Sequence, residues 1–449
     1  MTTTEPFRLT ASEAQSQFRA GTLTVQDYAR SLLSRVASRD STVNAWAYLD
    51  PELVLARARE LDQIPPEKRG PLHGVAIGVK DVILTKDMPT QYNSPIYVDD
   101  KPEVDAGSIL TLRTNGALIF GKTTTTEFAA TTMGPSHKGP KTGNPHDPSR
   151  TPGGSSSGSG AAVGDFQVPI ALGTQTVGST IRPGSFNGIY AMKPTWNSIS
   201  REGQKLYSLI FDTLGLYSRS VDDLKLLLDA FQLVDDQPVP PEPFTVKGAK
   251  FALLTYPTPE WPEPGPGTAA ALKKGAELLR AHGAEVEEIT LGEEFLPMYK
   301  YHLQVLAGDG RIAFLPDYYF AKDKLDPLLL GHVHNAGKHT RKDQLRAFDE
   351  LAAMRPKMDA LADKYDAIIG PSALDEAPVG HSSTGSAAFC GPATAMHIPV
   401  VNIPGFKGEN GLPIGLSAMS SRYRDQHLLR VSREVGKIFE NEGGWKSAL

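Results

Sequence analysis

Two serine-bearing loops and one lysine are the residues of this chain whose types and placement suggest chemistry. Residues 153–160 hold four glycines and four serines in eight positions. Composition alone leaves a flexible linker open, but apolar Ala161, Ala162 and Val163 follow at once, so the run enters a packed element. Its glycines permit close backbone approach or a positive φ. Downstream, Gly173-Thr174-Gln175-Thr176-Val177-Gly178-Ser179-Thr180-Ile181-Arg182-Pro183 forms a second loop of small residues. Consecutive amides ahead of a serine are ready donors to an oxyanion, because backbone N–H groups need no reorganisation as charge develops. Upstream, the apolar run Val75-Ala76-Ile77-Gly78-Val79 ends on Lys80, with Asp81 next. A lysine at the end of a buried strand must be paired or lose its charge. Taken singly, a paired structural lysine and ordinary turns explain these features equally well; the combination is more specific.

Other serine chemistries fit less well. Gly154-x-Ser156-x-Gly158 formally matches a nucleophile elbow, which needs a buried strand before the serine, whereas residues 144–152 contain three prolines and no apolar run. No Ser-x-x-Lys occurs in the chain, and Ala161-Ala162 stands where a phosphate loop needs Lys-Ser/Thr.

These loops need elements to hold them. In the first seventy residues, Thr10-Ala11-Ser12-Glu13 fits a helix-capping box, Gly21 a stop, Thr24 a second cap and Pro51 a first helical turn. Short apolar runs at 75–79, 117–120, 367–369 and 400–403 read as buried strands, residues 285–291 as another. Residues 108–114, 269–281 and 341–365 read as helices. Residues 131–160 read as one long ordered loop, and the proline-rich stretch 236–267 as surface connections. Helix alternating with buried strand predicts an α/β fold: a single large domain over 1–449, with a central mixed sheet covered by helices on both faces.

Composition excludes several function classes. The chain has 449 residues, 40% hydrophobic and 22% charged, as in ordinary soluble proteins, and a net charge of −5 that offers no polyanion-binding surface. Nucleic acid is not an expected partner. Cys390 is the only cysteine, which excludes an intramolecular disulfide and a cysteine-based zinc site. The N-terminus lacks a basic region and an apolar core, so no signal peptide is expected. No stretch approaches the roughly 20 apolar residues of a membrane span. A cytoplasmic monomer or homodimer is the expectation.

Over almost its whole length the sequence resembles the amidase signature family. Residues 72–81 are similar to its lysine-bearing strand, 121–129 to the segment after its next strand, 153–159 to its serine-glycine loop, and 173–195, ending Met192-Lys193-Pro194-Thr195, to the rest of the signature. The 24-residue separation of Ser155 and Ser179 matches the family's spacing, and 391–393, 399–404 and 411–416 continue the likeness. The resemblance implies hydrolysis of C–N acyl bonds without cofactor or metal. It implies a triad in which Ser179 attacks the carbonyl and Ser155, preceded by a cis peptide bond from Gly154, passes its proton to Lys80. The amides of Thr176, Val177, Gly178 and Ser179 hold the oxyanion, and Met133 and Gly134 shape the substrate pocket (signature core 72–200, N-terminal helical segment 1–70).

This assignment asks Lys80 to be neutral. An ordinary lysine titrates near ~10.4, so neutrality at pH 7 costs about 4.6 kcal/mol at ~1.36 kcal/mol per unit, a shift that burial can supply. Adjacent strand residues face opposite ways, so Asp81 need not oppose it. Three departures from the family pattern stand out. Gln175 replaces the usual Asp four residues before the nucleophile, Val177 replaces a glycine, and Arg182 falls three residues beyond the serine rather than two. Substrates implied are a carboxamide, anilide or carbamate, with ester cleavage as a side activity. Aromatic Tyr299, Tyr301 and residues 318–320 either line an acyl or leaving-group pocket, which favours an apolar or aryl group, or pack in the core. Rivals are the glutamine-hydrolysing subunit of an amidotransferase and a catalytically silent binding or scaffold homologue. His332, His334 and His339 lie close together without carboxylate or thiolate companions, which favours a pocket-wall role over a metal site.

Overall fold

The structure, a computed structural model, describes residues 5–131, 141–256 and 261–449. Eleven strands form one sheet: β1 (Trp46–Tyr48), β2 (Ala76–Lys80), β3 (Leu118–Thr123), β4 (Ile170–Gln175), β5 (Tyr190–Lys193), β6 (Thr213–Ser218), β7 (Lys250–Thr255), β8 (Glu285–Thr290), β9 (Ala367–Pro371), β10 (Val400–Lys407) and β11 (Pro413–Met419). Their order is β1-β3-β2-β4-β6-β5-β10-β11-β9-β7-β8. β2 pairs parallel with both β3 and β4, and β7 with both β8 and β9, while the strands between these groups run antiparallel. The mixed sheet is therefore as expected.

Strand periodicity sorts side chains to two cores. In β2, Ile77 and Val79 enter one apolar cluster and Ala76 the other; in β4, Ile170 and Leu172 enter the first and Ala171 the second. Helices cover both faces: Val221–Ala230, Pro266–Ala281 and Asp425–Glu442 over the first, Val25–Val43, Ser157–Gly164 and Arg341–Ala362 over the second.

The N-terminal helices follow their local signals. Thr10 and Glu13 form the capping box of the helix Ala11–Ala20, which stops at Gly21 with φ 69°. Thr24 and Asp50 cap the next two helices.

The long loop needs correction. The helix Ser157–Gly164 begins inside the serine-glycine run, although serine and glycine are weak helix formers. Tertiary fit decides it: a Cβ on Gly158 would collide with Thr124 N and with the Ala45 carbonyl. The proline-rich stretch is also shorter than expected. Residues 236–241 are mostly exposed and free of helix and strand, but β7 (Lys250–Thr255), buried over its four central residues, runs through the middle of the stretch, Pro266 already opens the helix Pro266–Ala281, and residues 257–260 lie outside those described. Met133 and Gly134 also lie outside the described residues. Among the described residues no helix is long and apolar enough to cross a membrane.

Candidate active site

β2, β3 and β4 run parallel, so their C-terminal ends, at Lys80, Thr123 and Gln175, open on one edge of the sheet. Sites in α/β proteins form outside such ends. Lys80 is fully buried there, with Nζ 2.7 Å from Ser155 Oγ and 2.7 Å from Thr174 Oγ1. Burial pushes its pKa well below that of an ordinary lysine, with the Asp212 carboxylate opposing the shift. An amine held neutral has a lone pair that accepts a hydroxyl proton.

Asp81 does not reach Lys80. It shares a face with Ile77 and Val79, where it pairs with buried Lys122 at 3.3 Å and accepts from Gln91 N. The β2–β3 register shifts between Ile77 and Gly78, which brings Lys122 to that face. Burial still raises Asp81 to about 6, the Lys122 ammonium working against it. Replacing Lys122 by methionine leaves this carboxylate buried without its cation, held only by backbone N–H groups. It is expected to lower the unfolding free energy by about 3–5 kcal/mol, read by chemical denaturation. An unchanged midpoint would show that Asp81 needs no partner.

The serines of the run have separate tasks. Ser155 follows a cis peptide bond from Gly154, and its carbonyl accepts from Thr126 N at 3.2 Å. Ser156 Oγ bonds both N and O of Thr174, each at 3.2 Å, and Ser159 Oγ donates to Leu172 O at 2.8 Å. These two bind the helix Ser157–Gly164 to β4, and Ser156 has no strand before it, so the elbow reading fails.

Ser179 lies half-buried in the turn between β4 and the helix Ile181–Phe186, its carbonyl accepting from Tyr217 Oη at 3.0 Å. Among the described residues no acceptor meets the N–H groups of Val177, Gly178 or Ser179. Three adjacent free amides beside a hydroxyl can stabilise an oxyanion. Gly178 is required by packing, since a Cβ there would come within 2.7 Å of Cys390 Cβ. Val177 keeps a negative φ, so it replaces glycine without strain. Thr176 turns its hydroxyl to Asp212, and burial lifts that carboxyl to about 6.

The other departures also have structural accounts. Gln175 Oε1 accepts from Thr180 N at 2.9 Å and Ile181 N at 3.0 Å, so an amide oxygen caps the helix after the turn. Arg182, buried, donates to Gly385 O at 2.7 Å, to Thr384 Oγ1 at 3.1 Å and to Gly154 O, the carbonyl just before Ser155. Despite its displaced position it fastens the two serine loops together.

Thr174, Asp212, Tyr217, His302 and Thr394 all touch this site, and sequence reading missed them. Thr174 carried a signal, a hydroxyl at a strand end beside Gln175, and Thr394 directly follows the matching segment 391–393; the others come from segments with no motif. The aromatic residues divide between the two expected roles and the surface. Tyr301 is buried in the core, while Tyr319 and Phe320 are 78% and 73% exposed, with Tyr318 on His334 and Phe320 on Tyr97. Tyr299 alone adjoins the turn: its ring and Val177 Cγ1 both lie within 4 Å of a Cβ placed on Gly391. His332 lies against Tyr207, with Nε2 3.2 Å from the phenol. Among the described residues no group of three His, Cys, Asp or Glu side chains is placed to hold a metal.

Comparison with known proteins agrees with this geometry. A glutamyl-tRNA(Gln) amidotransferase subunit of Lysinibacillus sphaericus is 29% identical over 475 residues, covering 97% of each chain. Its counterpart in Chloroflexus aurantiacus is 33% identical over 480 residues, covering 97% of this chain and 98% of its own. Among solved structures, an amidase superposes with a TM-score of 0.85 at 27% identity, over 96% of this chain and all (100%) of the other. The peptide amidase of Stenotrophomonas maltophilia shares the fold, with a TM-score of 0.78 at 24% identity over 96% of this chain and 97% of its own. The Amidase family model matches residues 27–429, a span that contains every side chain of the site described above, and the chain therefore belongs to the amidase family of C–N bond hydrolases.

Proposed function

We propose that the chain hydrolyses a linear carboxamide, anilide or carbamate through an acyl-Ser179 intermediate. Ser179 Oγ attacks the carbonyl as its proton passes to Ser155 and from Ser155 to Lys80. The oxyanion rests on the amides of Val177, Gly178 and Ser179, with Thr176 at the edge of that group. The proton then returns through Ser155 to the leaving nitrogen, and water hydrolyses the acyl-enzyme by the reverse relay. One observation carries this reading: a fully buried, desolvated lysine amine 2.7 Å from a serine hydroxyl.

An apolar substrate is favoured over a charged one. The arginines flanking the turn in sequence are committed to the protein: Arg182 to the carbonyls above, Arg201 to Leu209 O and Asp212 O. Around the turn, a Cβ on Gly178 would meet Cys390 and Ala387, and one on Gly391 would meet Val177, Tyr299 and the neutral His302 ring, so no charged side chain is among these neighbours. A release assay across amides, anilides, carbamates and p-nitrophenyl esters tests the reading. Turnover of at least one apolar amide or carbamate is expected, with faster cleavage of activated esters; esters cleaved and every C–N substrate untouched contradicts it.

A second reading is glutamine hydrolysis within an amidotransferase, favoured by the 28–33% identity to glutamyl-tRNA(Gln) amidotransferase subunits over 92–97% of this chain. It requires a cation for the glutamine α-carboxylate and a partner to receive ammonia. Ammonia release from glutamine that appears only on adding the other components of an amidotransferase, with no turnover of apolar amides, selects that reading. Probe labelling of Ser179 separates either enzyme from a silent homologue.

A further inference from the structure

We propose that Gln175, Thr394 and His302 are positioning residues that aim the Val177 and Gly178 amides at the oxyanion; this rests on the acyl-Ser179 reading. In a trans peptide unit the C=O of one residue and the N–H of the next point in opposite directions. Whatever grips a carbonyl therefore sets the direction of the following N–H. Through the turn every carbonyl is gripped. Thr176 O accepts from His302 Nε2 at 3.0 Å, Val177 O from Thr394 Oγ1 at 2.8 Å, Gly178 O from Arg182 N at 3.1 Å, and Ser179 O from Tyr217 Oη at 3.0 Å. The N–H groups of 177, 178 and 179 are left unbonded on the other side.

Donor and acceptor inventory fixes the proton positions. A hydroxyl has one proton, and Thr394 spends it on Val177 O, its alternative being Cys390 O at 3.4 Å. Its oxygen must then accept from Gln175 Nε2, 3.0 Å away. Gln175 Oε1 faces two backbone N–H groups, which fixes the amide's orientation. A carboxylate at 175 could cap those N–H groups but has no proton to give Thr394. The hydroxyl would turn toward that carboxylate and release the Val177 carbonyl. The amide at 175, the chain's departure from the usual Asp, is thus what directs the Thr394 proton at the turn. His302 works from the other side. It is buried, its ring 4.1 Å from that of Phe211, and burial pushes its pKa down to about 4. A carbonyl only accepts, so the neutral imidazole carries its proton on Nε2.

The test compares Gln175→Glu, Thr394→Val, His302→Gln and His302→Leu with the parent protein. Readouts are kcat and KM on a p-nitrophenyl ester, the rate of Ser179 labelling by a fluorophosphonate, and thermal unfolding. Gln175→Glu keeps the cap but puts a carboxylate at a fully buried position, so its unfolding temperature should fall while the variant stays folded at the assay temperature. Its kcat and labelling rate should fall by roughly 10- to 100-fold with KM near the parent value, less than the loss of an oxyanion donor itself. His302→Gln keeps a donor at Nε2 and should stay close to the parent, while His302→Leu falls like Gln175→Glu. Parent-like kcat in Gln175→Glu overturns the proposal, and so does equal impairment of His302→Gln and His302→Leu. If Thr394→Val does not fold, Gln175→Glu decides alone. Ser179→Ala run alongside separates the two levels: activity surviving there defeats the acyl-serine reading. A dead Ser179→Ala beside a parent-like Gln175→Glu defeats only the positioning of the amides.

Discussion

Ser179→Ala is expected to lose C–N hydrolysis by roughly 10⁴-fold or more, since removal of a serine nucleophile abolishes the covalent route and leaves only what the oxyanion donors and binding supply. The loss should appear in kcat, with substrate affinity largely kept, and on amides and activated esters alike, because both pass through the same acyl-enzyme. Fluorophosphonate labelling should vanish in parallel. Unfolding should be close to the parent's, as the half-buried Ser179 side chain fills little core volume. Ester turnover surviving in this variant would place the nucleophile elsewhere, and Ser155 would be the first residue to examine.

Lys80→Ala separates proton transfer from nucleophilic attack. Expulsion of an amine needs a proton on the leaving nitrogen, whereas an activated phenolate leaves without one. Amide hydrolysis should fall by roughly 10³-fold and activated-ester hydrolysis by about tenfold, within the range of general acid–base effects. Equal losses would remove Lys80 from the leaving-group step. The sign of the pH dependence follows from the same chemistry. The relay begins with a neutral amine, so kcat/KM rises with pH as Lys80 loses its proton. Burial lowers that pKa, so the rise is complete well before ordinary lysines titrate near ~10.4. The same shift makes Lys80 a cost to stability at neutral pH. The unfolded chain binds a proton there that the folded chain does not, so the penalty grows as pH falls and disappears above the unfolded pKa.

What could be read from the sequence were features local in the chain. A buried parallel strand is a short apolar run, and a lysine ending it stands out, so β2 and Lys80 were legible at once. The turn before Ser179 was legible because consecutive small residues expose amides, and the N-terminal helices because their caps lie within four residues of one another. The serine-glycine run misled as to secondary structure, since its helix is imposed by the tight approach of Gly158 to Thr124 and Ala45 rather than by propensity. The grips on the turn were illegible for a different reason. His302 and Thr394 lie 126 and 217 residues from the carbonyls they hold, His302 in a segment without a motif and Thr394 just past one that says nothing of its partner, and Asp212 lies in a stretch where no element was expected. The three departures looked like losses in the linear pattern and became substitutions with function only in three dimensions. Gln175 caps and donates, Val177 keeps a backbone angle any residue adopts, and Arg182 reaches Gly154 from one position further along its helix.

The uncharged amine is the claim on which the relay stands, and it can be observed without turnover. Isotope-edited NMR of the lysine Cε and Nζ groups, with Lys80 assigned by its absence in Lys80→Ala, reports each side chain's protonation as pH is raised. A Lys80 signal already neutral at pH 7, against the ~10.4 of an unperturbed lysine, is the result expected here. A Lys80 signal that stays charged at pH 7 and loses its proton only near that unperturbed value would contradict the relay.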